Sequence, residues 1–127
     1  MNHVSNPQDA TRPIDVSRLD DLRMLSDEKG PDLLLELISI FLDDTPAQLM
    51  ELAHAIATSN AESVMHHGHS LKSSCAQLGA LQLSELCRQL EAMGRAKDIR
   101  SAQPVLVAAQ AEFEKVRVAL LAVKSLD

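Results

Sequence analysis

The stretch Gly68-His69-Ser70-Leu71-Lys72-Ser73-Ser74-Cys75-Ala76-Gln77-Leu78-Gly79-Ala80 decides how this chain folds. Its apolar residues Leu71, Cys75 and Leu78 recur at steps of four and three, the spacing of one face of an α-helix. Val64 extends that stripe backwards, and Gly68 falls on it. His69, Lys72 and Ser73 stand three and four residues apart and project together from another face. Gly79 follows the last periodic residue, where a left-handed C-terminal cap is commonly needed. The expectation is an imidazole with an ammonium one turn away, on the outer surface of a packed helix and not in an enzyme pocket.

Asn60 is the candidate N-cap of this helix, which is expected over Ala61 to Leu78. After the Gly79 stop, Leu83, Leu86, Cys87, Leu90 and Met93 mark an amphipathic helix from about Leu81 to Lys97. A last helix ending near Val123 should bury Val105, Leu106, Ala109, Phe113, Val116 and Leu120, with Asp98 to Pro104 as a connection or a frayed start. On the N-terminal side, Pro31 suits a first helical position and Asp32 its positive end. The broad stripe Leu34, Leu37, Ile38, Phe41, Leu42 continues as Leu49, Leu52, Ala53 and Ile56. Pro46 removes the hydrogen bond to Leu42, yet the stripe resumes in phase, so one kinked helix from about Pro31 to Ser59 is expected. Lys29-Gly30-Pro31 separates it from a short helix within Ile14 to Ser26, with Asp15 or Ser17 as N-cap and Leu19, Leu22 and Leu25 inward.

Residues 1–13 are polar with two prolines and read as a flexible arm, either a natural N-terminus or the remnant of a linker. Residues 14–127 then form one helical domain. Short connections between long amphipathic helices favour an all-α, antiparallel four-helix bundle of up-down topology, with the short N-terminal helix covering one end.

Composition agrees with that class. Only four glycines occur in 127 residues, and Trp and Tyr are absent, which favours helices over sheets. The formal charge of −6 leaves no basic stripe to neutralise a nucleic-acid backbone. No run approaches the ~20 apolar residues that span a bilayer, and no basic-then-apolar signal segment is evident. Cys75 and Cys87 fall on apolar faces. Their number alone permits a disulfide, but without a secretory signal free buried thiols in the cytoplasm are expected.

The turn around Ala80 yields a long-range expectation. In an antiparallel hairpin, residues equidistant from the turn lie at similar height, because both helices rise about 1.5 Å per residue. His69 is eleven residues before Ala80 and Glu91 eleven after it. Glu91 can therefore meet one imidazole nitrogen, fixing the tautomer and raising the nucleophilicity of the other. Pairing of Glu91 with Arg88 or Arg95 on its own helix is the competing expectation.

His-Ser-Leu-Lys, followed by Ser-Ser and then Leu-Gly-Ala, resembles the phosphohistidine motif of histidine-containing phosphotransfer (HPt) domains. The resemblance extends over roughly Ile14 to Val123. It implies that His69 is the phosphoacceptor and Lys72 its charge-stabilising neighbour, and a Glu or Gln is similarly implicated at the place of Glu91. The implied function is a phosphorelay intermediate, taking a phosphoryl group from the receiver domain of a hybrid sensor histidine kinase and passing it to that of a response regulator. The role fits either a stand-alone chain or a part of a hybrid kinase; a helical adaptor that binds without transfer is the alternative. Ser73 departs from the commonest pattern, which has Gly after the Lys. Serine is small enough for docking to survive, with altered partner preference.

The chemistry suits the residues. Neutral imidazole offers one free lone pair near neutral pH, and an exposed helix surface lets a receiver bring its own phosphoaspartate and Mg²⁺ to it. Lys72 can hold the added phosphoryl oxygens. Docking is expected on Met65, His66, His69, Lys72, Ser73 and Ala76, with parts of the neighbouring helices including Arg88. No nucleotide-binding or Ser-His-Asp signature is visible, so no kinase activity of its own is expected. His66 and His69 share a face, but no carboxylate or thiol is expected at matching helical spacing to complete a metal site and Cys75 should point inwards, so no metal or other cofactor is expected on this chain. The family mostly works as monomers, and a monomer is expected here.

Overall fold

The computed structural model describes residues 12–29 and 33–126. Five helices follow one another there: α1 (Val16–Lys29), α2 (Leu33–Ala57), α3 (Ala61–Gln77), α4 (Leu81–Arg95) and α5 (Ala102–Leu126). Helices α2 to α5 form a closed ring in which each packs on the next and α5 returns to α2. Along the α3–α4 pair, Gly68 faces Cys87 and Glu91 while Gly94 faces Ala61 and Met65. Rising numbers on one helix meet falling numbers on the other, so the pair is antiparallel. The expected arm falls, up to residue 11, outside the described residues, as do Pro31 and Asp32 at the expected start of α2.

The apolar stripes become the core. Leu34, Ile38, Phe41, Leu49 and Leu52 of α2 meet Val64, Leu71 and Cys75 of α3, Leu83, Cys87 and Leu90 of α4, and Leu106, Ala109, Phe113, Val116 and Leu120 of α5. Leu86, Met93 and Val105, expected inside, pack half-buried against this cluster. The two cysteines are free and buried. Contact with the Cys87 thiol, and then burial, push the Cys75 thiol pKa far up, so both act as small apolar fillers. Among the described residues no helix is long and apolar enough to cross a membrane.

Local signals set most of the ends. The Asn60 side chain accepts from Ser63 N at 3.1 Å and caps α3, and Gly79 takes φ +78 after its last turn. Helix α2 runs unbroken through the exposed Pro46. Asp15 is the cap of α1: its carboxylate accepts from Ser17 N at 3.1 Å and from Ser17 Oγ at 2.8 Å. One expectation needs correction. Leu25 is 48 % exposed, because successive steps of three drift about 60° each around a 3.6-residue helix and carry it off the face of Leu19 and Leu22. Of the two readings of Asp98 to Pro104, its last residues are a helix start, since α5 begins at Ala102; proline in a first turn forfeits no hydrogen bond, because the N–H groups there have no helical partner.

The entry to α1 lies over the α3–α4 turn. Asp15 N donates to Gly79 O at 2.7 Å, an Arg18 guanidinium nitrogen reaches Ala76 O at 3.5 Å, and Ile14 is buried. A side chain at Gly79 would strike Asp15 O at 2.6 Å. Here glycine serves both the left-handed turn and the close chain crossing. The entry to the short helix thus covers the end of the bundle at which the motif helix stops.

Candidate functional site

Glu91 is where the site is assembled. It is one of the few polar side chains sealed in the bundle, its side chain only 4 % exposed. A carboxylate without partners there would be costly. Three cationic or donor groups meet it. Its Oε1 accepts from Lys72 Nζ at 2.8 Å, and its Oε2 lies 2.9 Å from His69 Nδ1 and accepts from an Arg95 guanidinium nitrogen at 3.0 Å. The Lys72 hydrogen bond is the largest influence on the Glu91 pKa. With the His69 and Arg95 bonds it outweighs burial and holds the carboxyl down at about 2.

An ionised carboxylate only accepts hydrogen bonds. The Nδ1 of His69 must then carry the proton and donate it to Glu91, which leaves Nε2 as the free lone pair. The His69 side chain is 62 % exposed, so the unprotonated nitrogen belongs to the solvent side. The arrangement is an exposed imidazole with a fixed tautomer, whose carboxylate partner also binds two cations, Lys72 and Arg95.

The contact anticipated from the hairpin register is therefore formed, and so is one of its competitors. Glu91 binds the imidazole and Arg95 together. Arg88 makes no hydrogen bond to Glu91: its guanidinium spends two donors on Glu85, at 2.8 and 2.7 Å, and it stays exposed. Lys72 is not a free ammonium but is shared with Glu91, a bond that the sequence reading did not anticipate. On α4, Ser84 Oγ donates to Lys72 O at 2.9 Å and fastens the same turn of α3.

His66 and Ser73 are exposed and Met65 and Ala76 half-buried on the face that carries His69. His66 lines a shallow surface hollow with Asn60, Glu62, Ser63 and Met65. His67 Nδ1 lies 3.3 Å from Gln48 Oε1 of α2, and Gln48 Nε2 donates to Ser70 Oγ at 3.5 Å. Glu62, four residues before His66, does occupy a helical spacing that the metal argument from sequence passed over. Even so, among the described residues no three His, Cys, Asp or Glu side chains come together to hold a metal ion.

Gly94 was also missed. An isolated glycine inside a helical pattern costs about 1 kcal/mol relative to alanine and so calls for a packing reason. Its place in Leu90-Glu91-Ala92-Met93-Gly94-Arg95 was the available signal.

Residues 36–119 match the family model described as the Hpt domain. Among known proteins, the chain is 25 % identical over 103 residues to histidine-containing phosphotransfer protein 2 of Arabidopsis thaliana, covering 79 % of this chain and 66 % of that one. It is 33 % identical over 70 residues to histidine-containing phosphotransfer protein 1 of Oryza sativa subsp. japonica, covering 54 % of this chain and 48 % of that one. The chain thus spans just under two thirds and about half of the lengths of these relatives. In fold it is similar to histidine-containing phosphotransfer protein B (HptB) of Pseudomonas aeruginosa PAO1. The TM-score is 0.83 at 23 % identity, over 92 % of this chain and 98 % of that one.

Proposed function

Because this chain belongs to the Hpt domain family, we propose that it is a phosphorelay carrier which accepts a phosphoryl group on His69 Nε2 from one receiver domain and yields it to another. The observation that carries the reading is the Nδ1 contact of an exposed imidazole with a buried, ionised carboxylate. In the accepting step the Nε2 lone pair forms a bond to phosphorus while the bond from phosphorus to the partner's aspartate oxygen breaks. The electron pair leaves with that aspartate, which is regenerated as a carboxylate. The imidazole becomes positively charged as it bonds, and the Glu91 carboxylate beneath it stabilises that charge. Lys72, partly exposed and one turn on, turns from Glu91 to the phosphoryl oxygens. Return transfer is the reverse.

The partners are receiver domains, one of a hybrid sensor kinase and one of a response regulator, and Mg²⁺ enters with them. They dock over Met65, His66, Ser73 and Ala76, with Arg88 at the edge. The compartment is the cytoplasm, the working form is a monomer, and the phosphoryl group originates on the hybrid kinase. Incubation with a phosphorylated receiver, followed by intact mass, tests this. An acid-labile gain of one phosphoryl group, absent in His69→Gln, is expected. No label from a panel of receivers, with the bundle folded and still binding them, would replace the carrier with an adaptor that only docks.

A further inference from the structure

Gly68 and Gly94 form a reciprocal notch between α3 and α4. A Cβ on Gly68 would lie 2.7 Å from Glu91 N and 3.0 Å from Glu91 Cα. One on Gly94 would collide with Met65 N and lie 2.6 Å from Ala61 O. All of these neighbours are backbone atoms, which cannot swing aside as a side-chain end does. The two helices thus approach backbone to backbone through this window.

Each notch glycine also precedes a residue bound to the buried carboxylate: Gly68 precedes His69, and Gly94 precedes Arg95. Gly68 itself rests on the backbone of Glu91. A glutamate side chain has a short fixed reach, and its bonds at 2.9 Å to the imidazole and 2.8 Å to Lys72 have little slack. Ordinary contact begins near 3.4 Å, so a methyl at Gly94 must move the helices apart by about 1 Å. That stretches the imidazole contact beyond hydrogen-bonding range.

We propose that Gly94, with Gly68, is a positioning residue for the His69 site: the notch sets the helix separation that seats Glu91 under the imidazole and so selects the reactive tautomer. Gly94 acts through Glu91 and touches neither substrate nor reacting atom. The inference rests on the carrier reading for its kinetic consequence alone, because the tautomer can be measured without any transfer.

The test is a double-mutant cycle on Gly94→Ala and Glu91→Ala, read by the rate of phosphoryl acceptance. Gly94→Ala is expected to slow acceptance about tenfold with Glu91 present and less than about twofold with Glu91→Ala. Full multiplication of the two effects would overturn the proposal. Imidazole ¹⁵N shifts of unphosphorylated His69 give the second readout. They are expected to show the Nδ1–H form in the unsubstituted chain and a mixture of forms in Gly94→Ala. The same shifts in both, with the variant folded, would overturn the proposal.

Both readouts are taken in an excluded osmolyte that favours the folded state, with Gly68→Ala as the second variant. Failure of both variants to fold even there would reduce the notch to packing and also overturn the proposal. A chain that accepts no phosphate but shows the tautomer change defeats the carrier reading and leaves the notch standing.

Discussion

Between α2 and α5 the helices meet through large rings: Phe41 and Phe113 lie 6.0 Å apart at a 52° tilt, both nearly buried. Between α3 and α4 they meet through glycines, thiols and a buried carboxylate. The first interface gains its stability from apolar area. The second gives up apolar area for close backbone approach, and it places charges where distance matters. The chemistry sits on the α3–α4 side of the ring, while the apolar core draws on all four helices. That separation is physically sensible, because polar groups poised for reaction make poor packing material.

The hardest blow to this comparison would come from Phe113→Ala. Removing a core ring is expected to cost about 3–5 kcal/mol, read by denaturant unfolding, while the protein still folded accepts phosphate at an unaltered rate. A rate that falls with the stability would show that the two sides are not separable.

Next in size, Glu91→Ala is expected to slow acceptance about 10- to 100-fold, as losing the orienting partner of a working histidine does, with a smaller loss of stability than Phe113→Ala. An equal loss of stability would make Glu91 a core residue first. Its titration sharpens the point. The carboxyl is held at about 2 in the folded chain against an ordinary 4.5. Its contribution to stability is therefore complete above about pH 4.5 and is lost as the pH falls towards 2. Glu91→Gln should flatten the pH dependence of stability within that window, as followed by acid unfolding; an unchanged acid transition would assign it to other groups.

The smallest effect expected is that of Asn60→Ala, about 1 kcal/mol from the lost cap at the start of α3, visible as a lower melting temperature with acceptance unchanged. A change in acceptance instead would mean that fraying reaches His69, more than two turns away.

Much of this was legible in the chain. The stripe through Val64, Leu71, Cys75 and Leu78, the cap at Asn60 and the stop at Gly79 are local signals, each expressed within a turn of the residue that carries it. The pairing of His69 with Glu91 was legible too, because a short hairpin converts distance from the turn into height. Leu25 was misplaced because a run of three-residue steps imitates a face without staying on it. The sharing of Glu91 among three donors, the loss of Arg88 to Glu85, and Gly94 were out of reach for a different reason: each depends on how closely two helices lie, and periodicity carries no information about separation.

By itself, then, the sequence determined five helical segments, four of them an up-down bundle with the short first one over an end, and an outward-facing imidazole with a lysine beside it, all consequences of helical period and turn chemistry. Only the tertiary structure decided that the carboxylate beneath that imidazole is sealed, ionised and held at three points. Burial and hydrogen-bond length depend on the separation of α3 from α4, and that separation is set where two glycines from different helices press against each other's backbones.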